Sequence, residues 1–282
     1  KKGIVWFRNN LRLADNESLS RALDECDEVL CVYFLESRTW NSIAEPSRMG
    51  SIRAKFILES LLELEGDIQE LGGTMEFIQG RAVDEIPRIL QSYGADRCYA
   101  QKEDACEEIE QEHLLADQIN LILSGGRGIW EESDLPFALN DLPAVFSSFR
   151  RKVEKKMQIR SLFPPPRSMA CSWETKTELP TLPSLGFEEY STDERAVLDF
   201  RGGAKVAKKW MNQWIWERDC LKEYKETRNG MVGADYSCKL SPWLSIGCIS
   251  AVEVYWEIKK YESERVANES TYWLFFELLW RE

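Results

Sequence analysis

Over its first 130 or so residues the chain alternates short apolar runs with amphipathic stretches, and this alternation limits it to a parallel sheet covered by helices. Gly3–Phe7 and Glu28–Leu35 are almost continuously apolar, as strands buried on both faces must be. Thr74–Gln79, Arg97–Gln101 and Leu121–Leu123 read as further strands. Between them Ser18–Asp24, Ile52–Leu71, Val83–Tyr93 and Asp104–Gln118 read as helices. In the second of these, Ile57, Leu61, Leu64, Ile68 and Leu71 form one stripe with Glu59, Glu63, Asp67 and Glu70 between them, and Gly72-Gly73 stops it. Such a sheet binds ligands at its strand C-termini. Neither GxGxxG nor GxxxxGK[ST] is present, so the usual phosphate loops are not the route.

Five of the ten Pro fall between Pro164 and Pro183, in a stretch with little periodicity. Ser161 to about Ser191 therefore reads as an extended connection over the surface. Before it, a helix over Pro143–Met157 carries the one dense basic patch: Arg150, Arg151, Lys152, Lys155 and Lys156, with Arg160 beyond. A solvated helix face and a nucleic-acid contact both suit it. Beyond the connection all periodicity is helical: Gly203–Glu217, Asp219–Lys225, Pro242–Lys260 and Thr271–Glu282. The expected division is an α/β domain over 1–135, a connector over 136–192 and an all-helical part over 193–282.

Composition narrows the chemistry. The 36 basic and 48 acidic residues of the 282 give a net charge of -12, which opposes whole-surface attraction to nucleic acid but not a local basic groove. No apolar run approaches the roughly 18 residues of a membrane-spanning helix, so no membrane partner is expected. Eight Cys without CxxC or regular spacing argue against a disulfide scaffold or a zinc site and for a reducing, intracellular home, with cytoplasm, nucleus and organelle equally open. The single His, His113, lies in the acidic run Glu107–Glu112 and reads as a solvated surface residue; no metal site is expected. Of 11 Trp, seven follow residue 200, a concentration that suits a large aromatic ligand, unstacked bases or packing alone.

Two segments carry candidate chemistry. In Ala234–Trp243, Ser241 reads as an N-cap and Pro242 as a first helical residue, with hydroxyls and Lys239 in the loop before it. Such a loop holds a phosphate or merely starts a helix. In Tyr272–Arg281 only Glu277 interrupts an apolar run to Trp280, so the helix reads as buried all round. Glu277 then faces a cavity, a ligand or Arg281 one turn later.

Five motifs, in this order, resemble those of the photolyase/cryptochrome family, DASH branch. They are Trp6-Phe7-Arg8-Asn9-Asn10-Leu11-Arg12; Asp134–Phe137 with Val145–Arg150; Tyr224–Met231 with Gly233–Ser237; Ser241–Leu244; and Glu277–Arg281. The resemblance implies a Rossmann-like antenna domain followed by a helical FAD-binding domain, and a monomer. It implies FAD contacts from Tyr224, Ser237, Cys238, Lys239, Leu240, Ser241 and Arg281. It assigns Glu103 to the antenna, 5,10-methenyltetrahydrofolate. Arg228 is implied as a DNA contact, and Glu277 and Trp280 as the residues that meet the pyrimidine dimer.

The implied activity is blue-light-driven repair of cyclobutane pyrimidine dimers, preferentially in single-stranded DNA, by a deoxyribodipyrimidine photo-lyase. The rival is a signalling photoreceptor without repair. Two residues depart from the family pattern, Asn10 for Asp and Ala204 for Glu. Glu282 falls inside what the resemblance makes the flavin domain, so an incomplete domain, a fragment or a non-functional truncated product is expected. The chain also opens without a secretory signal or an initiator Met, so a segment upstream is open.

Overall fold

Apolar residues alternate sides along each strand, and this is what gives the sheet two covered faces. The computed structural model describes residues 1–40, 48–156 and 158–282. Strands β1 (Lys2–Phe7), β2 (Glu28–Leu35), β3 (Thr74–Gln79), β4 (Cys98–Gln101) and β5 (Leu121–Ser124) form one parallel sheet in the order β3-β2-β1-β4-β5. Ile4, Trp6, Leu30, Val32 and Ala100 face helices α4 (Ala82–Tyr93) and α5 (Cys106–Ala116). Val5, Phe7, Cys31, Met75 and Tyr99 face α1 (Glu17–Glu25) and α3 (Ser51–Glu70), and this second core continues into the helical part. A short α2 (Ser37–Trp40) follows β2. The α/β architecture that the periodicity predicts is the one observed.

After α6 (Phe146–Lys156), from residue 158 to the next helix, the chain runs largely extended, with short turns at Pro183–Leu185 and at Asp193–Ala196. Its anchors lie along the sheet: Val29 donates to the Ala170 carbonyl, Met169 to that of Leu71, and Thr177 to Glu76. The basic helix begins at Phe146 rather than Pro143, and its expected end, Met157, lies outside the described residues. The helices that follow are α7 (Ala204–Asn212), α8 (Tyr224–Thr227), α9 (Ser241–Ile246), α10 (Ala251–Glu264) and α11 (Glu269–Arg281).

The start of α7 is held from across the molecule. Gly202 N–H donates to Glu59, Gly203 N–H to Ser60 Oγ and Lys205 N–H to Glu63, all on α3. The first amides of a helix have no partner of their own, so α3 supplies the cap that Gly203, the N-cap residue, has no side chain to give. Burial pushes the Glu63 carboxyl pKa up. A Cβ on Gly202 would lie 2.0 Å from the Phe56 carbonyl oxygen, so the contact requires glycine.

Four expectations are corrected. Pro242–Lys260 is not one helix: it breaks at Gly247, φ +73°, where the chain turns to meet the loop after β1. There Leu11 N–H donates to the Ile246 carbonyl and the Arg12 guanidinium to that of Gly247. The helix expected to reach Glu217 ends at Asn212, and a π turn covers Gln213–Glu217. Glu112 does not share the solvated face of its acidic run but is buried in an ion pair with Arg8; His113 beside it is exposed. Finally, α11 is not buried all round. Leu274, Phe275, Leu278 and Leu279 face the core, while Trp273, Phe276 and Glu277 are half-buried and Trp280 is exposed.

The first residue of α1 carries a pH response. The Glu17 carboxyl is pushed up to about 7 by burial and by the neighbouring Glu131 carboxyl, with which it shares a hydrogen bond. The folded chain therefore holds an extra proton between the ordinary value of 4.5 and about 7, and stability falls as pH rises through that window. Glu17→Gln is expected to remove the fall. The variant should gain about 1 kcal/mol over the parent at about pH 8, after discounting for solvent access, and nothing at about pH 5. Urea midpoints at the two pH values check this; parallel curves would refute it.

Candidate functional site

The loop before α9 owes its shape to two tryptophans. Trp210 Nε1 donates to the Cys238 carbonyl at 2.7 Å and Trp214 Nε1 to that of Asp235 at 3.0 Å. The two lie four residues apart, on one face of α7 and its π extension. Leu240 anchors the end of the loop in the core. With the backbone fixed from below, Lys239 adopts φ +51° and its ammonium donates to Ser237 Oγ at 3.2 Å. Among the described residues Lys239 has no carboxylate within 4.0 Å. Ser241 is the first residue of α9 rather than its N-cap, which is Leu240, and its hydroxyl is exposed.

Tyr224 lies in the same neighbourhood, edge-on to Trp214 with ring centres 5.5 Å apart. It is 5% exposed, and its hydroxyl has no hydrogen-bond partner among the described residues. Burial, with Cys238 and Glu277 nearby, raises the phenol pKa, so it stays a donor at neutral pH. Burial also pushes the Cys238 thiol up.

One turn along, the Arg228 guanidinium donates to Glu277 Oε1 at 2.9 Å and lies over the Trp273 ring at 4.9 Å. Trp273 Nε1 donates to the same oxygen at 3.2 Å. The partner of Glu277 is therefore Arg228, 49 residues away, and not Arg281. Arg281 instead donates to the backbone carbonyls of Arg127 and Leu244, tying α11 to the end of the sheet. Trp280, 58% exposed, stacks on Phe146 of α6 with centroids 3.6 Å apart and planes at 14°.

Glu103 belongs to a separate cluster where β1 and β4 end, at the point where strand order reverses. It accepts from Asn9 Nδ2 at 3.0 Å, and Arg127 stands 3.6 Å away. Burial raises its pKa. Asn10 is closed within this loop, accepting from Arg8 N–H at 2.9 Å and donating to Asn16. The adjoining crevice, lined by Asn9, Arg12, Gln101, Arg127 and Arg281, encloses about 10 Å³, room for one water-sized group. This crevice is too small for a folate.

The structure thus brings Tyr224, Arg228 and Glu277 together, joins Trp280 to α6, and leaves Glu103 and Arg281 at the sheet end. Sequence reasoning counted Trp210, Trp214 and Trp273 among the seven late tryptophans and Phe146 within a motif, but gave none of the four a role of its own. The first two were legible as an i, i+4 pair on an amphipathic helix; the others depend on contacts between segments far apart in the chain.

Residues 3–169 match the DNA photolyase family, and the chain belongs to that family. Within it the chain is of the DASH type. It is 40% identical over 286 residues to the cryptochrome DASH of Synechocystis sp., a match covering 99% of this chain and 58% of the relative. It is 38% identical over 290 residues to the chloroplastic/mitochondrial cryptochrome DASH of Arabidopsis thaliana, covering 99% and 51%. A crystallised Synechocystis sp. cryptochrome superposes with TM-score 0.94 at 39% identity, over 100% of this chain and 60% of that one. A bacterial class III photolyase from Agrobacterium tumefaciens shares the fold, at TM-score 0.82 and 24% identity over 99% and 57%.

The chain spans between about half and three fifths of the length of these relatives. Members of the family bind FAD, some with a second, antenna chromophore, and serve light-dependent DNA repair or photoreception. The unpaired Tyr224 hydroxyl and the uncompensated Lys239 fit the phosphates of FAD in charge and donor type. No described helix is long and apolar enough to cross a membrane.

Proposed function

We propose that this chain carries one side of the site of a light-driven, FAD-dependent photo-lyase that repairs cyclobutane pyrimidine dimers in single-stranded DNA. The observation that carries the reading is the group Arg228, Trp273 and Glu277 beside the Tyr224 hydroxyl, with Trp280 exposed at its margin. FAD, bound in reduced form, would supply one electron to a flipped dimer under blue light and take it back once the ring bonds have split. The remaining work belongs to this chain. Tyr224 would donate its O–H to the cofactor's phosphates, Lys239 would offset their charge, and Ser237 and Ser241 would add hydroxyl donors. Cys238 and Leu240 set the loop backbone.

Glu277 is the group that reads the lesion. Arg228 and Trp273 occupy Oε1, and the other oxygen is left to accept from an imide N–H of the extruded base. Arg228, expected on a DNA phosphate, is engaged by Glu277 and acts as its positioning residue. Trp280 offers its indole to the dimer as a stacking platform. Extrusion costs least for damaged or unpaired bases, which favours single strands as substrate.

Trp280→Ala tests the reading. Affinity for a dimer-containing single strand should fall by about 1–3 kcal/mol, the worth of one stacked base, with a much smaller loss on the undamaged strand. Equal losses on both strands would reduce Trp280 to a packing partner of Phe146 and remove the basis for dimer recognition.

A further inference from the structure

Helix α6 carries five cations in seven residues, on a chain whose net charge is -12. Among the described residues only Arg150 has a carboxylate near it, Glu154 at 3.7 Å, and Glu154 also accepts the Tyr272 hydroxyl. Arg151, Lys152, Lys155 and Lys156 are exposed, and among the described residues none has a carboxylate within 4.0 Å. Arg151 and Lys155, like Lys152 and Lys156, are four apart, so the charges form two rows along the helix. Like charges at this spacing repel one another and weaken an isolated helix. A surface placed there only for solubility needs no such concentration when acidic residues are in excess elsewhere.

The basic rows begin at an aromatic platform. Phe146, the first residue of α6, stacks on Trp280 at 3.6 Å and meets Phe276 edge-on at 5.4 Å. Arg150 lies over Phe276 at 5.4 Å, and the Lys152 ammonium lies 5.2 Å from the Phe137 ring centre. Aromatic faces leading into a strip of unpaired cations are the two components of a single-strand track: bases stack on the rings and phosphates follow the charges.

Resting on the reading that Trp280 meets a lesion, we propose that Arg151, Lys152, Lys155 and Lys156 of α6 form a phosphate track for the single-stranded DNA that flanks the base at Trp280. The track holds the strand through its backbone and adds no preference for damage. Charge complementarity commits the surface to a nucleic-acid strand, since an acidic peptide offers the charges without bases for the platform.

The test measures binding of an undamaged, labelled oligothymidylate between about 50 and 200 mM salt. The quadruple variant R151Q/K152Q/K155Q/K156Q alters only exposed side chains and relieves their repulsion, so its melting temperature should not fall below that of the parent. The slope of log K against log salt should become shallower by about 0.7 for each cation engaged, with an affinity loss of about ten-fold or more at the low-salt end. The control R81Q/R88Q/R195Q/R201Q changes net charge equally at exposed cations that are each paired with a carboxylate. It should leave the slope unchanged.

Equal effects of the two quadruple variants would overturn the track, as would displacement by polyglutamate as effective as by the oligonucleotide. The ratio of damaged to undamaged binding separates the two claims. It should survive the α6 substitutions and fall in Trp280→Ala. A steep slope change with no dimer preference at Trp280 would sink the repair reading and leave the track standing. An unchanged slope with a preference lowered in Trp280→Ala would do the reverse.

Discussion

Gly247→Ala is expected to cost about 4 kcal/mol or more and to loosen the contact between the sheet and the helical part. Two costs combine. The residue sits at φ +73°, where a Cβ adds about 1–2 kcal/mol. That Cβ would also lie 1.9 Å from the Asn9 carbonyl oxygen and 2.7 Å from Asn10 Cα, both backbone atoms that cannot rotate away. Relief requires α9 and the loop after β1 to separate, which strains the bonds from Leu11 to Ile246 and from Arg12 to Gly247. Arg12 is buried, with its guanidinium pKa lowered by that burial, and loses an acceptor it cannot replace with water. Gly94→Ala is the matched control: its φ is +72° but nothing lies within 4 Å, so only the conformational cost of about 1 kcal/mol should appear. Urea midpoints of the two variants give the difference. Equal losses would mean the seam at Gly247 yields easily and does not hold the two parts together.

The second large effect is expected at Glu112. Its carboxylate is 4% exposed, pairs with the buried Arg8 guanidinium, and accepts the Glu103 N–H at 3.0 Å. Glu112→Ala should destabilise by about 3–5 kcal/mol, because it leaves a buried cation without its counter-charge and an amide without its acceptor. The surroundings of Arg8 offer little relief: the guanidinium already lies over Trp6 at 4.4 Å and donates to the Gln101 carbonyl at 3.1 Å. Replacing both partners, R8M/E112L, should recover most of the loss, since an apolar pair of similar volume carries no desolvation cost. Denaturant titration of the single and double variants decides it. A single variant within about 1 kcal/mol of the parent would show that water reaches the pair.

These two sites mark where sequence and structure part company. The acidic run Glu107–Glu112 has the composition of a solvated helix face, and Glu107 indeed meets surface arginines. Nothing local separates Glu112 from its neighbours, because its partner lies 104 residues earlier at the end of β1. Pro242–Lys260 has helical periodicity interrupted only at Gly247, and a lone glycine within such a pattern is compatible with a continuing helix. The break does carry local marks, since Gly247 closes α9 in the left-handed conformation and Ser250 with Glu253 forms the capping box that opens α10, but the apolar periodicity runs across both; what lies outside any window is the close approach of Asn9 and Asn10 that forbids a side chain at Gly247. Glu277 was recognisable as the odd residue in an apolar helix, yet the choice of Arg228 over Arg281 as its partner depends on α8 packing against α11.

By itself the sequence determined the elements whose signal is local. Strand and helix alternation specified a parallel sheet with two covered faces, since period-two and period-3.6 burial need no distant information. The ordered motifs specified the family. Tertiary structure alone decided which polar groups meet: Arg8 with Glu112, Arg228 with Glu277, Arg281 with the Arg127 carbonyl, and Phe146 with Trp280. Each of these pairs joins segments at least 49 residues apart, and a side chain's burial and partners follow from how those segments pack, which is a property of the assembled chain rather than of any stretch within it.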